Sequence, residues 1–252
     1  MSSSTFTISS SEVQMTLEAK NLVKTYGERL VVDHLSIEAS TGKIIGLFGP
    51  NGAGKTTTFY MMIGFLPSEG GEVLLDGADI SILPFYRRAR LGISYLPQDP
   101  SVFTHASVEE NLDLVLEWSR VVGKEREVRE ELLHEFRLER LRTQRAGTLS
   151  SGERRRLEIA RSLATSPSYI LLDEPFSGID PISVADLQEE VVALKERGIG
   201  LVITDHNVRD TLSITDYAYL INEGRVITAG TPEEILSDPL ARRFYLGERF
   251  QV

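Results

Sequence analysis

The residues best suited to chemistry lie in one glycine-rich segment, the phosphate loop, which reads Gly49-Pro50-Asn51-Gly52-Ala53-Gly54-Lys55-Thr56. It fits the pattern G-x-x-x-x-G-K-[ST], in which glycines let backbone N–H groups curl around phosphate oxygens. The helix expected after it would direct its positive end at the same anion. Lys55 would reach the β and γ phosphates, the Thr56 hydroxyl would ligate Mg²⁺, and Thr57 follows in the same turn. The apolar run before the loop and the helix after it disfavour the alternative, a glycine-rich turn without a ligand.

Two adjacent carboxylates follow a second apolar run. Residues 169–172 are expected to form a buried strand, and Asp173 and Glu174 come directly after it. Strands often end in acidic residues that have no function, but beside a phosphate loop such a pair has a defined chemistry. Asp173 would hold Mg²⁺, and Glu174 would polarise an attacking water as general base. Together with the phosphate loop, the pair predicts hydrolysis of a nucleotide.

A third segment, residues 149–153, precedes the carboxylate strand and reads Leu149-Ser150-Ser151-Gly152-Glu153. One of its two serines would cap a helix whose first turn carries Glu153, and the helix N-terminus would be free to bind an anion. Taken alone, the segment is better explained as an ordinary capped helix. The order of motifs along the chain favours a functional role for this segment. In that order Gln98 follows one predicted strand and His206 follows another.

The pattern of apolar residues indicates which elements position these motifs. Alternation near residues 17–19 and 35–37 predicts strands with one solvated face, whereas the apolar run at 44–48 predicts a strand buried on both faces. Strand and helix patterns then alternate in the second half of the chain, which is typical of a mostly parallel sheet. From about residue 98 to 166 the period is helical. We therefore predict an α/β fold with an N-terminal antiparallel β part and a helical insertion.

Composition excludes several classes of protein. The 252 residues include 27 basic and 37 acidic side chains, a net charge of −10, which argues against generic binding to nucleic acid or to an anionic membrane. Cysteine is absent, which excludes disulfides, cysteine-ligated zinc and thiol catalysis. No apolar run approaches the roughly eighteen residues of a membrane span. We expect a mobile, Ser- and Thr-rich tail over residues 1–14 and one cytoplasmic nucleotide-binding domain over residues 15–252.

The order of these motifs resembles the nucleotide-binding subunit of ABC transporters, from about residue 16 to residue 250. The resemblance implies a P-loop ATPase core that hydrolyses ATP with Mg²⁺ as a homodimer, in which two subunits sandwich two ATP molecules head to tail. Residues 149–153 (the signature segment) of one subunit would then contact the γ-phosphate held by the other. The ATP contacts implied across the interface are Ser150, Ser151, Gly152 and Glu153. The family's usual signature has two glycines, of which Ser151 replaces the first and Gly152 is kept.

The same resemblance implies roles for residues outside these motifs. Tyr26 would stack on adenine, and Arg29 would touch the nucleotide more weakly. Gln98 would bridge Mg²⁺ and a transmembrane partner, Asp180 lies in a loop that would link the two sites, and His206 would contact the γ-phosphate. The catalytic residues implied are Lys55, Gln98, Glu174 and His206. The expected partners are two transmembrane permease subunits, which would hold the chain at the cytoplasmic face of the inner membrane.

Longer runs narrow the resemblance to the ATPases of lipopolysaccharide-export machines. These runs are residues 56–61, 151–160, 173–184, 203–209 and 245–248. They imply that the chain powers extraction of lipopolysaccharide from the inner membrane. ATPases that import branched-chain amino acids have similar runs and are one alternative. A soluble ABC ATPase that serves iron–sulfur assembly is an alternative of another class.

The segment after Gln98 carries an aromatic residue, Phe103, among polar neighbours. One interpretation is that Phe103 packs under its own loop. The other is that it anchors a helix of the transmembrane partner, as the resemblance to export ATPases implies.

Overall fold

The structure, a computed structural model, describes residues 15–119, 121–205 and 208–243. The strands are β1 (Thr16–Tyr26), β2 (Arg29–Ser40), β3 (Ile44–Phe48), β4 (Gly70–Leu75), β5 (Ala78–Asp79), β6 (Ile93–Leu96), β7 (Tyr169–Asp173), β8 (Gly200–Asp205), β9 (Tyr217–Asn222) and β10 (Arg225–Gly230). The helices are α1 (Lys55–Ile63), α2 (Phe85–Arg90), α3 (Val108–Leu116), α4 (Glu125–Glu135), α5 (Ser151–Leu163), α6 (Pro181–Glu196), α7 (Val208–Leu212), α8 (Pro232–Ser237) and α9 (Pro239–Ala241). The predicted tail, residues 1–14, lies outside the described residues.

In the central sheet the described strands follow the order β10-β9-β3-β8-β7-β6. Of the strand pairs within this sheet, only β9–β10 is antiparallel. Every residue of β3, β7 and β8 is buried, because helices or the second sheet cover both faces of these apolar strands. In the parallel register Phe48 lies opposite Asp205, and Asp173 lies opposite Thr204. The carboxyl ends of the three strands therefore meet at one edge. The carboxylate strand β7 does not adjoin β3, because β8 lies between them.

A second, antiparallel sheet has the order β2-β1-β4-β5. Its alternating strands place Leu17, Ala19 and Ile37 in the core. These side chains join the apolar residues of α1, including Phe59 and Met62, in one hydrophobic cluster between the two sheets. The predicted α/β fold with an N-terminal antiparallel part is therefore confirmed.

Between residues 98 and 166, the part of the chain that the structure describes is helical apart from loops and one isolated bridge between Ser107 and Arg145. Ser107 and Glu110 form the capping box that begins α3. Leu112 of α3 and Leu133 of α4 are buried in a hydrophobic cluster that continues into the central sheet. The helical insertion thus shares its core with the sheet whose ends carry the motifs.

None of the helices in the described ranges has the length and apolar character that crossing a bilayer requires. The longest of them, α6, begins at the Asp180 cap with Pro181 in its first turn.

Candidate nucleotide site

The phosphate loop connects the buried strand β3 to helix α1, in the context that its sequence predicts. Gly52 and Gly54 have positive φ angles of 79° and 106°. A Cβ at Gly54 would lie 2.7 Å from the carbonyl oxygen of Val31, so both the backbone angle and the space favour glycine there. Among the described residues, no side chain caps the N-terminus of α1. Its first N–H groups and the positive end of its dipole therefore remain available to an anion.

Lys55 is 6% exposed and its ammonium lies inside the loop. The Nζ atom donates to the carbonyl oxygen of Gly49 at 2.7 Å and to that of Pro50 at 3.2 Å. Burial lowers the pKa of Lys55, and the negative charges of Glu174 and Asp173 partly offset that effect. A phosphate oxygen is a stronger acceptor than a neutral carbonyl, so an anion entering the loop would attract this ammonium.

A cavity of about 260 Å³ opens above the phosphate loop. The residues that line it are Arg29, Val31, Asn51, Gly52, Gly54, Lys55, Thr56, Thr57, Gln98 and Glu174. It brings together residues from β2, from the phosphate loop and from the segments after β6 and β7. Within it the Gln98 Nε2 atom donates to the Glu174 carboxylate at 2.8 Å. Three predicted catalytic residues, Lys55, Gln98 and Glu174, thus face one space.

Asp173 ends strand β7 and is 2% exposed. Its Oδ1 atom accepts a hydrogen bond from the Thr204 hydroxyl at 2.5 Å, and its Oδ2 atom accepts one from the Tyr95 hydroxyl at 3.2 Å. Burial and the nearby charge of Asp173 raise the pKa of Tyr95, which keeps that phenol a donor. Each carboxylate oxygen retains acceptor capacity, as a metal ligand or a holder of metal-bound water needs.

Glu174 has a positive φ of 46°, a left-handed conformation that is uncommon for a residue with a side chain. Its N–H group donates to the carbonyl oxygen of Thr204 at 3.0 Å and lies 3.1 Å from the Thr204 hydroxyl oxygen. The turn at Glu174 is therefore held by β8. With the backbone in this conformation, the Glu174 side chain faces the cavity.

A buried ion pair on α5 supports the segments around Gln98 and Glu174. Arg155 and Glu158 are 5% and 3% exposed, and their side chains meet at 2.9 Å. Arg155 also donates to the carbonyl oxygens of Pro97 at 2.9 Å and Pro175 at 3.0 Å. Glu158 accepts from the backbone N–H of Ser101 at 2.5 Å. The pair thus ties the segment after β6 to the segment after β7.

The sequence did not predict roles for Arg155, Glu158, Tyr95 and Thr204. Arg155 lies within a run of three arginines at residues 154–156, a pattern that ordinarily predicts a solvated helix face. One available signal was the i, i+3 spacing of Arg155 and Glu158 on a helix next to the signature segment.

The signature segment lies at the start of α5. Ser150 is the N-cap, and Glu153 completes a capping box with it, so Ser151 is the first helical residue. Because Gly152 has no Cβ, α5 and α6 can lie close together. A Cβ added at Gly152 would lie 3.1 Å from the side chain of Ser183 on α6. Asp180 caps α6 by accepting from the Ser183 N–H at 3.0 Å. The signature segment and Asp180 are therefore adjacent to each other and do not line the cavity above the phosphate loop.

The two residues expected to contact the base lie at the β1–β2 turn. Tyr26 is 50% exposed, with the Lys24 ammonium 5.9 Å from its ring centroid. Arg29 lines the cavity, and its NH2 atom donates to the Gly52 carbonyl at 3.4 Å. Tyr26 is not among the residues that line the cavity, but its ring is accessible for stacking. His206 lies outside the described residues.

Comparison with known proteins shows which family has this sequence and this arrangement of motifs. The model of the ABC transporter family matches residues 32–177. The chain is 52% identical to the lipopolysaccharide export system ATP-binding protein LptB of Acidithiobacillus ferridurans, over 94% of this chain and 98% of that protein. It is 51% identical to the protein of the same name from Escherichia coli (strain K12), over 94% of this chain and 99% of that protein.

Two solved structures of ABC transporter cassettes have the same fold. One is a nucleotide-free cassette with a TM-score of 0.82 and 31% identity, over 93% of this chain and 100% of that one. The other is a cassette in its ADP conformation, with a TM-score of 0.81 and 31% identity, over 93% of this chain and 99% of that one.

Proposed function

The chain belongs to the ABC transporter family, and from that premise we propose that it hydrolyses ATP to power lipopolysaccharide export from the inner membrane. The observation that carries this assignment is the identity of 51–52% with ATP-binding proteins of lipopolysaccharide export systems. This identity extends over 94% of the chain, so it includes the helical insertion and the strands around the motifs. Shared ATPase motifs alone would not give such coverage.

ATP binds with its phosphates in the phosphate loop. The exposed N–H groups at the start of α1 and the Lys55 ammonium supply positive charge where the β and γ phosphates lie. Tyr26, whose ring is half-exposed, stacks on the adenine, and Arg29, which lines the cavity, touches the nucleotide more weakly.

The residues at the cavity fit a magnesium ion. Magnesium takes oxygen ligands, and the Thr56 hydroxyl, the Gln98 side-chain oxygen and the Asp173 carboxylate are all of this kind. Thr56 and Gln98 line the cavity, and both oxygens of Asp173 keep free acceptor capacity beyond their hydrogen bonds. Magnesium bound there would neutralise charge that develops on the phosphates during hydrolysis.

Glu174 acts as the general base. Its carboxylate lines the cavity that holds Lys55, and the Gln98 amide donates to it at 2.8 Å, which orients it. From this position Glu174 accepts a proton from a water that attacks the γ-phosphorus, and the bond from that phosphorus to the bridging oxygen breaks so that ADP leaves. Gln98 then has two tasks, because its amide nitrogen orients the base while its oxygen would be available as a ligand of the metal.

Two copies of the chain act as a homodimer with ATP at their interface. The signature segment and Asp180 do not line the cavity of their own chain, yet α5 begins there with a helix N-terminus whose first two N–H groups, those of Ser151 and Gly152, lie outside its capping box. A second copy, placed head to tail, puts this terminus against the γ-phosphate held by the first. Each site is then completed by Ser150, Ser151, Gly152 and Glu153 of the other subunit.

Two transmembrane permease subunits dock near Phe103 and place the chain at the cytoplasmic face of the inner membrane. The Phe103 ring is 50% exposed, with the Arg161 guanidinium 4.8 Å from its centroid. The backbone of Phe103 is held on both sides by Asn111, a buried side chain that accepts from its N–H at 2.9 Å and donates to its carbonyl at 3.0 Å. A fixed backbone with an exposed ring suits an interface anchor.

Purification of the chain in detergent from its own cells, followed by identification of the bound membrane proteins, tests this proposal. We expect two permease subunits to co-purify, and the reconstituted complex to release lipopolysaccharide when ATP is added. A Phe103→Ala variant should keep the ATPase activity of the free subunit but lose co-purification. Recovery of soluble iron–sulfur scaffold proteins, or ATP-driven uptake of a branched-chain amino acid, would overturn the assignment of the cargo.

A further inference from the structure

Thr204, near the end of β8, has a hydroxyl that contacts both residues at the end of the neighbouring strand. Thr204 is fully buried and lies opposite Asp173 in the parallel register. Its hydroxyl donates to Asp173 Oδ1 at 2.5 Å and accepts from the Glu174 N–H at 3.1 Å. One side chain thus touches the carboxylate proposed to hold the metal and the backbone of the proposed general base.

The chemistry of a hydroxyl makes this pair of contacts directional. A threonine hydroxyl has one proton, so donating it to Asp173 leaves only lone pairs for other partners. The Glu174 N–H faces one of these lone pairs. The Asp173 carboxylate and the Glu174 N–H therefore set the orientation of the hydroxyl together. The hydroxyl in turn sets the distance between that carboxylate and that N–H group.

The backbone at Glu174 needs such support. Its φ of 46° lies in the left-handed region, which costs energy for a residue with a Cβ. The carbonyl oxygen and the hydroxyl of Thr204 both face the N–H of this residue, at 3.0 and 3.1 Å. A side chain that stabilises the turn also fixes where the Glu174 carboxylate enters the cavity.

We propose that Thr204 is a positioning residue that holds Asp173 and Glu174 in their mutual geometry through its single hydroxyl. The proposal rests on the roles given above to Asp173 in magnesium binding and to Glu174 as base. Tyr95 supports the other oxygen of Asp173, so the carboxylate is fixed from two sides and its remaining lone pairs would be the ones available to a metal ion. Removing the Thr204 hydroxyl takes away one of the two described donors that hold the Asp173 carboxylate. It also takes away one of the two acceptors that the structure describes for the Glu174 N–H.

The test compares Thr204→Val, which keeps the shape and removes the hydroxyl, with Thr204→Ser, which keeps the hydroxyl. Hydrogen-bond partners of metal ligands typically change metal affinity or activity by about 10- to 100-fold. We expect Thr204→Val to raise the half-saturating magnesium concentration or lower kcat by such a factor, with nucleotide affinity in EDTA unchanged. Thr204→Ser should restore both values to within a few-fold of wild type.

A measurement without metal or nucleotide tests the geometry directly. In the free protein, hydrogen exchange at the Glu174 amide should be about two- to tenfold faster in Thr204→Val, the effect of one lost hydrogen bond. The matched control is Thr215→Val, another buried threonine, whose hydroxyl donates to the Leu212 carbonyl at 3.0 Å. It should change neither the Glu174 amide nor the magnesium dependence. If Thr204→Val does not fold, Thr204→Ala against Thr204→Ser makes the same comparison.

The outcomes separate this inference from the proposed function. Wild-type magnesium dependence and Glu174 exchange in Thr204→Val, with Asp173→Asn inactive, would overturn the role of Thr204 and leave the proposed function standing. An Asp173→Asn variant with normal magnesium-dependent turnover would instead overturn the proposed metal site.

Discussion

Replacing Arg155 by methionine should destabilise the protein by about 3–5 kcal/mol, because the change leaves a buried carboxylate without its counter-charge. Glu158 is 3% exposed and meets the Arg155 guanidinium at 2.9 Å. The same guanidinium donates to the carbonyl oxygens of Pro97 and Pro175, which methionine cannot replace. Because these losses share one group, they do not add, and the range for breaking a buried pair is used for the whole change.

Thermal unfolding followed by circular dichroism measures this effect. For a chain of this size, each kcal/mol shifts the Tm by about 2–4 °C, so the loss corresponds to roughly 6–20 °C. The control is Arg197→Met, because Arg197 is half-exposed and pairs with Glu135 at 2.6 Å near the surface. Such a pair contributes about 0–1 kcal/mol, or at most a few degrees.

A second variant identifies the source of the loss. Adding Glu158→Gln to Arg155→Met removes the unpaired charge but keeps an acceptor for the Ser101 N–H. The double variant should therefore recover part of the lost Tm. A single variant within about 1 kcal/mol of wild type would refute the claim that the pair is buried and mutually dependent. A double variant no better than the single one would show that Glu158 is not the destabilising group.

Two further predictions concern the nucleotide base and a helix cap. Tyr26→Ala should weaken ATP binding by about five- to 150-fold in a fluorescent-nucleotide titration, because stacking on a base is worth roughly 1–3 kcal/mol, whereas Tyr26→Phe should bind normally. Unchanged affinity in a folded Tyr26→Ala protein would show that the ring does not contact the base. Asp180→Ala should lower the Tm by about 2–4 °C because it removes the acceptor for the Ser183 N–H, and Asp180→Asn should not. Equal Tm values for these two Asp180 variants would contradict this role of the cap.

Features of this fold that depend on local chemistry could be predicted from the sequence. The phosphate loop needs glycines at fixed positions, and the capping boxes at Ser107 and Ser150 need a carboxylate three residues later. Apolar runs without alternation predicted β3 and β7 as buried strands. Each of these inferences uses residues that are close together in the chain.

The remaining features depend on which distant segments meet. The position of β8 between β3 and β7 follows from packing and connection, and no residue within these strands specifies it. The contacts of Thr204 follow from that position. Arg155 is buried because α5 packs against the ends of β6 and β7, while its charged neighbours in sequence indicate a solvated face. Short α2, which begins with no side-chain cap from the described residues, also escaped prediction.

The most direct test of the central claim, hydrolysis of ATP in the cavity above the phosphate loop with Glu174 as base, is the turnover of Glu174→Gln. The glutamine is nearly isosteric and keeps a partner for Gln98, but it cannot accept the proton of the attacking water. We predict that steady-state ATP hydrolysis falls by about 10²–10⁴-fold, while ATP affinity remains within a few-fold of wild type. Turnover near the wild-type rate in the folded, ATP-binding variant would contradict the account.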